Sequence, residues 1–198
     1  LCVLGNVITC SLAAYAFARL TFKLSRLWFA LMIVTIMLPY HVTLIPQYII
    51  FSELNWLNSY YPLIVPKWLA TDSFFILLMV QFIRGIPREL DESATIDGCN
   101  QRSIYWRIML PLLVPALITT AIFTFIWTWD DFFSQMIYIS KIDLFTVQLG
   151  VRALFDPSGS SDWGALLAMS ALSLIPISLI FLFFQKYFLE GIATTGFK

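Results

Sequence analysis

The sequence predicts an all-α, polytopic membrane protein, and three observations carry that prediction. The chain is 60% hydrophobic, 17% aromatic and 12% charged, too apolar to cover a water-facing surface over 198 residues. Its apolar residues come in long runs parted by short polar connections, matching the roughly 20 residues that cross a hydrocarbon core of about 30 Å as helix. The alternating pattern of a membrane barrel is absent. Five spans are expected, at residues 1–18, 27–51, 62–84, 109–129 and 163–185, within one domain covering 1–198.

The chain opens on Leu1, already inside an apolar run, without an initiator Met or a signal-peptide pattern, so a fragment lacking its N-terminus is expected. In the second span Pro39 and Pro46 bracket "YHVTLI" and predict a kink. The third span is the weakest. Its cleanly apolar part runs from Ser73 to Ile83, about 16 Å of helix. The preceding segment with Pro66, Lys67 and Asp72 is therefore expected to enter the membrane as a broken helix facing protein or water. After the fifth span, Gly191 is expected to stop the helix and begin a polar tail over 186–198.

Basic residues set the expected orientation. Arg19, Lys23, Arg26, Arg84, Arg88, Arg102, Arg107, Lys186 and Lys198 fall on one side, nine of the 12, and Lys67, Lys141 and Arg152 on the other. Positive-inside places the 85–108 connection and the C-terminus in the cytoplasm and the 130–162 loop outside. Zero net charge argues against a nucleic-acid partner and leaves membrane lipid as the surrounding surface. Cys2, Cys10 and Cys99 form no disulfide framework and read as packing residues. One histidine, His41, and no paired Cys at ligand spacing argue against a metal site.

The most informative stretch is "RELDESATIDGCNQRSIYWRIMLPLLVP". Pro87, Glu89, Asp91 and Glu92 suit a helix N-terminus. Gly98 stands where a left-handed C-terminal residue is needed, and Asn100 can cap a second helix from Gln101 to Arg107. Leu90, Ala94 and Asp97 recur at i, i+4 and i+7, a mostly small or apolar face suited to a groove in another protein. A solvated loop on lipid headgroups is the competing physical reading.

Resemblance separates the two. Glu92, Ser93, Ala94, three residues, Gly98, nine residues, then Ile108, Met109, Leu110 and Pro111 resemble the EAA motif of type I ABC-importer permeases, with Ser93 replacing the first alanine. The stretches "SLAAYAFARLTF", "FTFIWTWDDFF" and "FLFFQKYFLEGIATTGFK" are similar to the second-permease subunit of maltose- or oligosaccharide-type carbohydrate importers. That resemblance implies a MetI-like permease fold of six spans, of which five are visible, in a bacterial cytoplasmic (inner) membrane. It also implies a sugar importer built with a second, different permease, two ABC ATPase subunits and an extracytoplasmic sugar-binding protein.

In such importers the EAA region seats in an ATPase, which implies coupling roles for Glu92, Ser93, Ala94, Asp97, Gly98, Ile108, Leu110 and Pro111. The tail reaches the ATPases as well, implying contacts from Gly191, Thr195 and Gly196. No G-x-x-x-x-G-K-[ST] stretch occurs, so no cofactor is expected in this chain; ATP and Mg belong to the partner ATPases, and the permease is not an enzyme.

A substrate path is expected among intramembrane polar and aromatic groups. Asn6, Thr120, Thr124, Trp127 and Asp130 are the candidates, although Ser and Thr also mediate helix packing and Trp anchors interfaces. An intramembrane hydrolase lacks its motifs here. A proton- or ion-coupled carrier is the nearer rival; it would ordinarily place Asp, Glu or Lys at mid-bilayer, whereas Lys67 and Asp72 lie near the outer end of their span.

Overall fold

The structure, a computed structural model, describes residues 1–155 and 162–193, with 186–193 as backbone alone. Among these residues every regular element is helical. Helix α1 (Cys2–Arg19) buries Gly5, Asn6, Cys10, Ser11, Ala14, Tyr15 and Ala18, a stripe at helical spacing. Most of these are small, which lets neighbouring helices approach closely without a hydrophobic driving force. Space is tightest at Gly5, where an added Cβ would lie 2.6 Å from the Trp68 ring.

The segment expected as one kinked span is two helices, α2 (Ser25–Met37) and α3 (Tyr40–Glu53), meeting at 104°. Leu38 and Pro39 are extended at the junction, and Pro39 lacks the N–H that would continue α2. Pro46 sits inside α3 without ending it. The turn is thus far sharper than a kink.

The third segment is broken as expected. Helix α4 (Tyr61–Ile64) and a 3-10 turn (Val65–Trp68) precede α5 (Ser73–Arg84), and Ala70 takes φ 53° between them. Lys67 Nζ donates to Asp72 Oδ2 at 2.8 Å, so the two charges neutralise each other across the break. Thr9 donates to the Lys67 carbonyl at 3.2 Å and ties the break to α1.

Beyond the polar connection come α6 (Glu89–Ile96), α7 (Gln101–Ile104), a π turn (Tyr105–Met109), α8 (Leu110–Leu112) and α9 (Val114–Asp130). The helix expected from Gln101 to Arg107 therefore changes to π geometry at Tyr105. The span expected at 109–129 is bent near its start, where Gln101–Leu112 meets α9 at 74°. Pro111 and Pro115 flank the bend, and neither can donate to the helical ladder there.

The 130–162 connection contains α10 (Phe133–Tyr138), a 3-10 turn (Ile142–Leu144) and α11 (Val147–Ala153) before α12 (Trp163–Ala193). Helix α12 runs through Gly191, so that glycine does not stop it; glycine costs a helix only about 1 kcal/mol relative to alanine. Thr195 and Gly196 lie outside the described residues.

Two clusters hold the chain together. In the larger, Phe75, Met79 and Ile83 of α5 pack with Cys10 and Ala14 of α1 and with Ile104, Met109 and Leu113. In the smaller, Leu44 and Phe51 of α3 pack with Tyr138, Ile139 and Leu149. Asn58, at φ 56°, locks that second cluster: its N–H donates to the Tyr138 carbonyl at 2.8 Å, and its Oδ1 accepts from the N–H groups of Ser140 and Lys141. Among the described residues three helices are long and apolar enough to cross a membrane, Cys2–Arg19, Tyr61–Arg84 and Trp163–Gln185; the total is five if each bent pair is one span.

Candidate functional site

Helix α6 is built to project and to stop. Glu89, Asp91 and Glu92 occupy its first turn, where the N-terminal dipole favours acids. Pro87 precedes the helix by two positions and does not sit in its first turn as expected. At the far end Cys99 N–H donates to the Ala94 carbonyl at 2.9 Å and Gly98 N–H to the Thr95 carbonyl at 3.0 Å. This bond pair is a Schellman cap, which needs a left-handed residue, and Gly98 supplies it at φ +82°. Asn100 Oδ1 then accepts from Ser103 N–H at 2.8 Å and starts α7, as the sequence predicts.

The two faces of α6 differ from the expectation. Ala94 is buried, but Leu90 and Asp97 of the same row are exposed. Opposite Ala94 lie Glu92 and Ile96, one turn apart; Glu92 is exposed and makes no ion pair among the described residues, and Ile96 is 86% exposed. Ile96 and Glu92 thus stand together on the side of α6 turned away from the core. Ser93 is exposed as well and spends its hydroxyl on the Glu89 carbonyl at 2.8 Å.

Asp91 is the residue whose role the sequence does not disclose. Its Oδ2 lies 2.9 Å from Nε of Arg19, the last residue of α1, and the Arg19 side chain is only 4% exposed. Nη2 of Arg19 also donates to the carbonyls of Ile83 and Ile86, at 3.1 and 2.7 Å, at the end of α5. The only available signals are a lone arginine closing an apolar run and an acid three residues before Ala94. An open cavity of about 690 Å³ adjoins this corner, walled by Phe17, Arg19, Arg84, Arg88 and Glu89 among others.

From α6 the chain leads directly to the bend. Met109 and Leu113 are fully buried, Ile108 and Leu110 partly so, and Pro111 is exposed on the elbow. Tyr105 of the π turn bonds Ser11 of α1 through their hydroxyls at 2.8 Å, and Tyr15 donates to Gln101 Oε1 at 2.8 Å. Helix α1 is thus fastened to both α6 and the α7–α9 elbow.

The expected substrate-path residues separate into two groups. Asn6, Thr120 and Thr124 are buried in the α1–α9 seam, where Asn6 Nδ2 donates to Thr124 Oγ1 at 2.8 Å. Asn6 and Thr124 are thus paired with each other, while Thr120 Oγ1 is buried with no hydrogen-bond partner among the described residues. Trp127 and Asp130 are exposed, Trp127 packing beside Phe74, Phe75 and Phe123. Cys10 is buried and donates to Asn6 Oδ1 at 3.2 Å, in keeping with a packing role. His41 is exposed with its ring edge-on to Phe133.

Comparison with known proteins places this geometry. Residues 5–193 match the family model described as the binding-protein-dependent transport system inner membrane component. The chain is 32% identical over 196 residues to the arabinooligosaccharides transport system permease protein AraQ of Halalkalibacterium halodurans, covering 99% of this chain and 69% of that protein. It is 36% identical to the probable ABC transporter permease protein YurM of Bacillus subtilis, covering 100% of this chain and 65% of that protein. The chain therefore spans about two thirds of the length of these curated relatives. Among solved structures, a bacterial ABC transporter involved in the import of the acidic polysaccharide alginate superposes with a TM-score of 0.75 at 23% identity, covering 94% of this chain and 70% of that one. That likeness is one of fold.

Proposed function

This chain belongs to the family of binding-protein-dependent transport system inner membrane components, an integral membrane permease family, and on that premise we propose that it carries a sugar or oligosaccharide inward within an ATP-driven importer. Permeases of this family work in complexes with other subunits. The complex proposed here contains a second, different permease, two ABC ATPases and an extracytoplasmic sugar-binding protein. It sits in the cytoplasmic membrane, with α6 and the C-terminus facing the cytoplasm. Nucleotide and Mg belong to the ATPases.

The observation that carries this reading is the outer face of α6, where exposed Glu92 and 86% exposed Ile96 stand on a helix fixed at both ends by the Gly98 cap and the Arg19 contact. An ATPase groove would cover Ile96 and pair with Glu92. Movement of α6 would then pass through the π turn and the elbow at Leu110 and Pro111 into α9, with Ser93, Ala94, Asp97 and Ile108 shaping the same coupling unit. Of the path candidates, exposed Trp127 and Asp130 are the ones available to a passing sugar, while Asn6, Thr120 and Thr124 hold the wall behind them. A second ATPase contact is assigned to the tail at Gly191, Thr195 and Gly196.

The test is uptake of arabinooligosaccharides into proteoliposomes containing the complete importer. Glu92→Lys reverses the proposed contact charge and is expected to abolish uptake while sugar capture by the binding protein is unchanged. Uptake at the wild-type rate would remove α6 from the ATPase interface.

A further inference from the structure

One guanidinium holds three separate elements at the corner where α1, α5 and α6 meet. Arg19 ends α1, reaches the carbonyls of Ile83 and Ile86 with Nη2, and reaches Asp91 of α6 with Nε. Side-chain exposure is 4% for Arg19 and 19% for Asp91, so water does little to screen the pair. The carbonyl contacts belong to the C-terminal end of α5, where cations are favoured and helix acceptors lack intrahelical partners.

Asp91 is attached differently. The 2.9 Å contact is a charge contact without an aligned N–H bond, and Asp91 Oδ1 is buried with no hydrogen-bond partner. A bidentate fork would fix the orientation of the carboxylate as well as its distance. Here the distance is set and the second oxygen is uncommitted. Arginine is therefore fixed to the membrane-spanning pair by two carbonyl bonds and joined to α6 through a single charge contact that sets its distance.

Building on the reading of α6 as the ATPase-contacting helix, we propose that Arg19 and Asp91 are positioning residues that pin α6 to the ends of α1 and α5, so that the three move as one body during the ATP cycle. Among the described contacts, α6 otherwise connects onward through its own chain and the packing of Ala94 and Cys99 in the α1–α5 cluster. The pin adds a lateral route into two spans that the EAA stretch itself does not contain. Lysine at position 19 would not replace the arginine, because a single ammonium on a flexible stem lacks the planar fork that serves carbonyls and carboxylate together.

The test uses the assembled importer with its ATPases, its native cysteines replaced, and spin labels on exposed Thr21→Cys and Thr95→Cys. Inter-label distance is measured by pulsed EPR without nucleotide and after trapping with ATP and vanadate. The expected wild-type distance is the same in both states. Asp91→Asn keeps the shape and removes the charge; it is expected to broaden the distribution and shift it between states, and Asp91→Glu is expected to restore a single distance. A wild-type distance that changes on trapping overturns the pin without any variant needing to assemble. An unbroadened Asp91→Asn distribution overturns it too, and both outcomes leave the ATPase contact of α6 standing. Failure of the ATPases to co-purify with the wild-type permease overturns the contact itself and the pin with it.

Discussion

Glycines show how one residue type acts through two unrelated mechanisms in this chain. Gly98 has nothing within 4 Å of an added Cβ, yet its φ of +82° is a conformation that L side chains rarely adopt. Alanine there should cost about 1 kcal/mol through backbone strain alone. Gly5 has no positive φ to protect, but its added Cβ would lie 2.6–2.7 Å from three atoms of the Trp68 indole. That ring stands on the 3-10 turn ahead of α5, so the turn must shift with it. Thermal unfolding in detergent is therefore expected to show a larger loss for Gly5→Ala than for Gly98→Ala; equal losses would mean that Trp68 swings aside freely. The glycine cap was legible in the sequence because Asp97, Gly98 and Asn100 form a local signal. The Gly5–Trp68 contact was not, since it joins residues 63 positions apart through a broken segment. Asn6 and Thr124 teach the same lesson: each is a plausible substrate contact by type, and their 2.8 Å bond across the α1–α9 seam, 118 positions apart, has no local signal. A double-mutant cycle on Asn6→Ala and Thr124→Ala is expected to give a coupling of about 0.6 kcal/mol, the average for hydrogen bonds between membrane helices.

At the scale of elements, prolines locate breaks well and describe their geometry poorly. Pro39 and Pro46 look equivalent in sequence, yet Pro39 begins a helix that turns 104° from its predecessor and Pro46 lies within that helix. The difference is the preceding residue: Leu38 is extended at ψ 124°, whereas Ile45 keeps the helical path. At the second break Pro115 cannot donate to the carbonyl of Pro111, and the 74° bend falls between them at Leu113. Pro115→Ala supplies that N–H and is expected to straighten the elbow. Pulsed EPR between labels on exposed Arg102→Cys and Trp127→Cys should then report a longer distance than in the parent, and an unchanged distance would assign the bend to the burial of Met109 and Leu113. The π turn at Tyr105–Met109 had no signal in the sequence, because it depends on Tyr105 reaching Ser11 of α1. Helices α10 and α11 were missed for a related reason: they are short, and the contacts of Tyr138, Ile139 and Leu149 that hold them come from α3.

The whole molecule has a one-sided construction that bears on its assembly. Helices α1, α5 and α9 form the interior, while none of the apolar window of α12 is buried and Leu167, Leu172, Leu174, Leu182 and Phe183 are all more than half exposed. Among the described contacts, a hydrogen bond from Trp129 Nε1 to the Ser173 carbonyl at 3.0 Å joins α12 to α9. Composition announced this exposure, since so apolar a chain must face lipid or protein, but which spans form the interior depends on the small-residue stripe of α1. Coupling adds a requirement of number. Each chain offers one α6, and on the proposed coupling to two ATPases the importer uses two such helices, the other coming from a second permease. A different subunit is the proposed answer, because the resemblance is to the second-permease class of sugar importers. Expressed with its ATPase and no other permease, this chain is expected to give no sugar-stimulated ATP hydrolysis in proteoliposomes, and adding the partner permease should restore it. Full stimulation from a purified complex of two copies of this chain would instead show that self-association supplies the second α6.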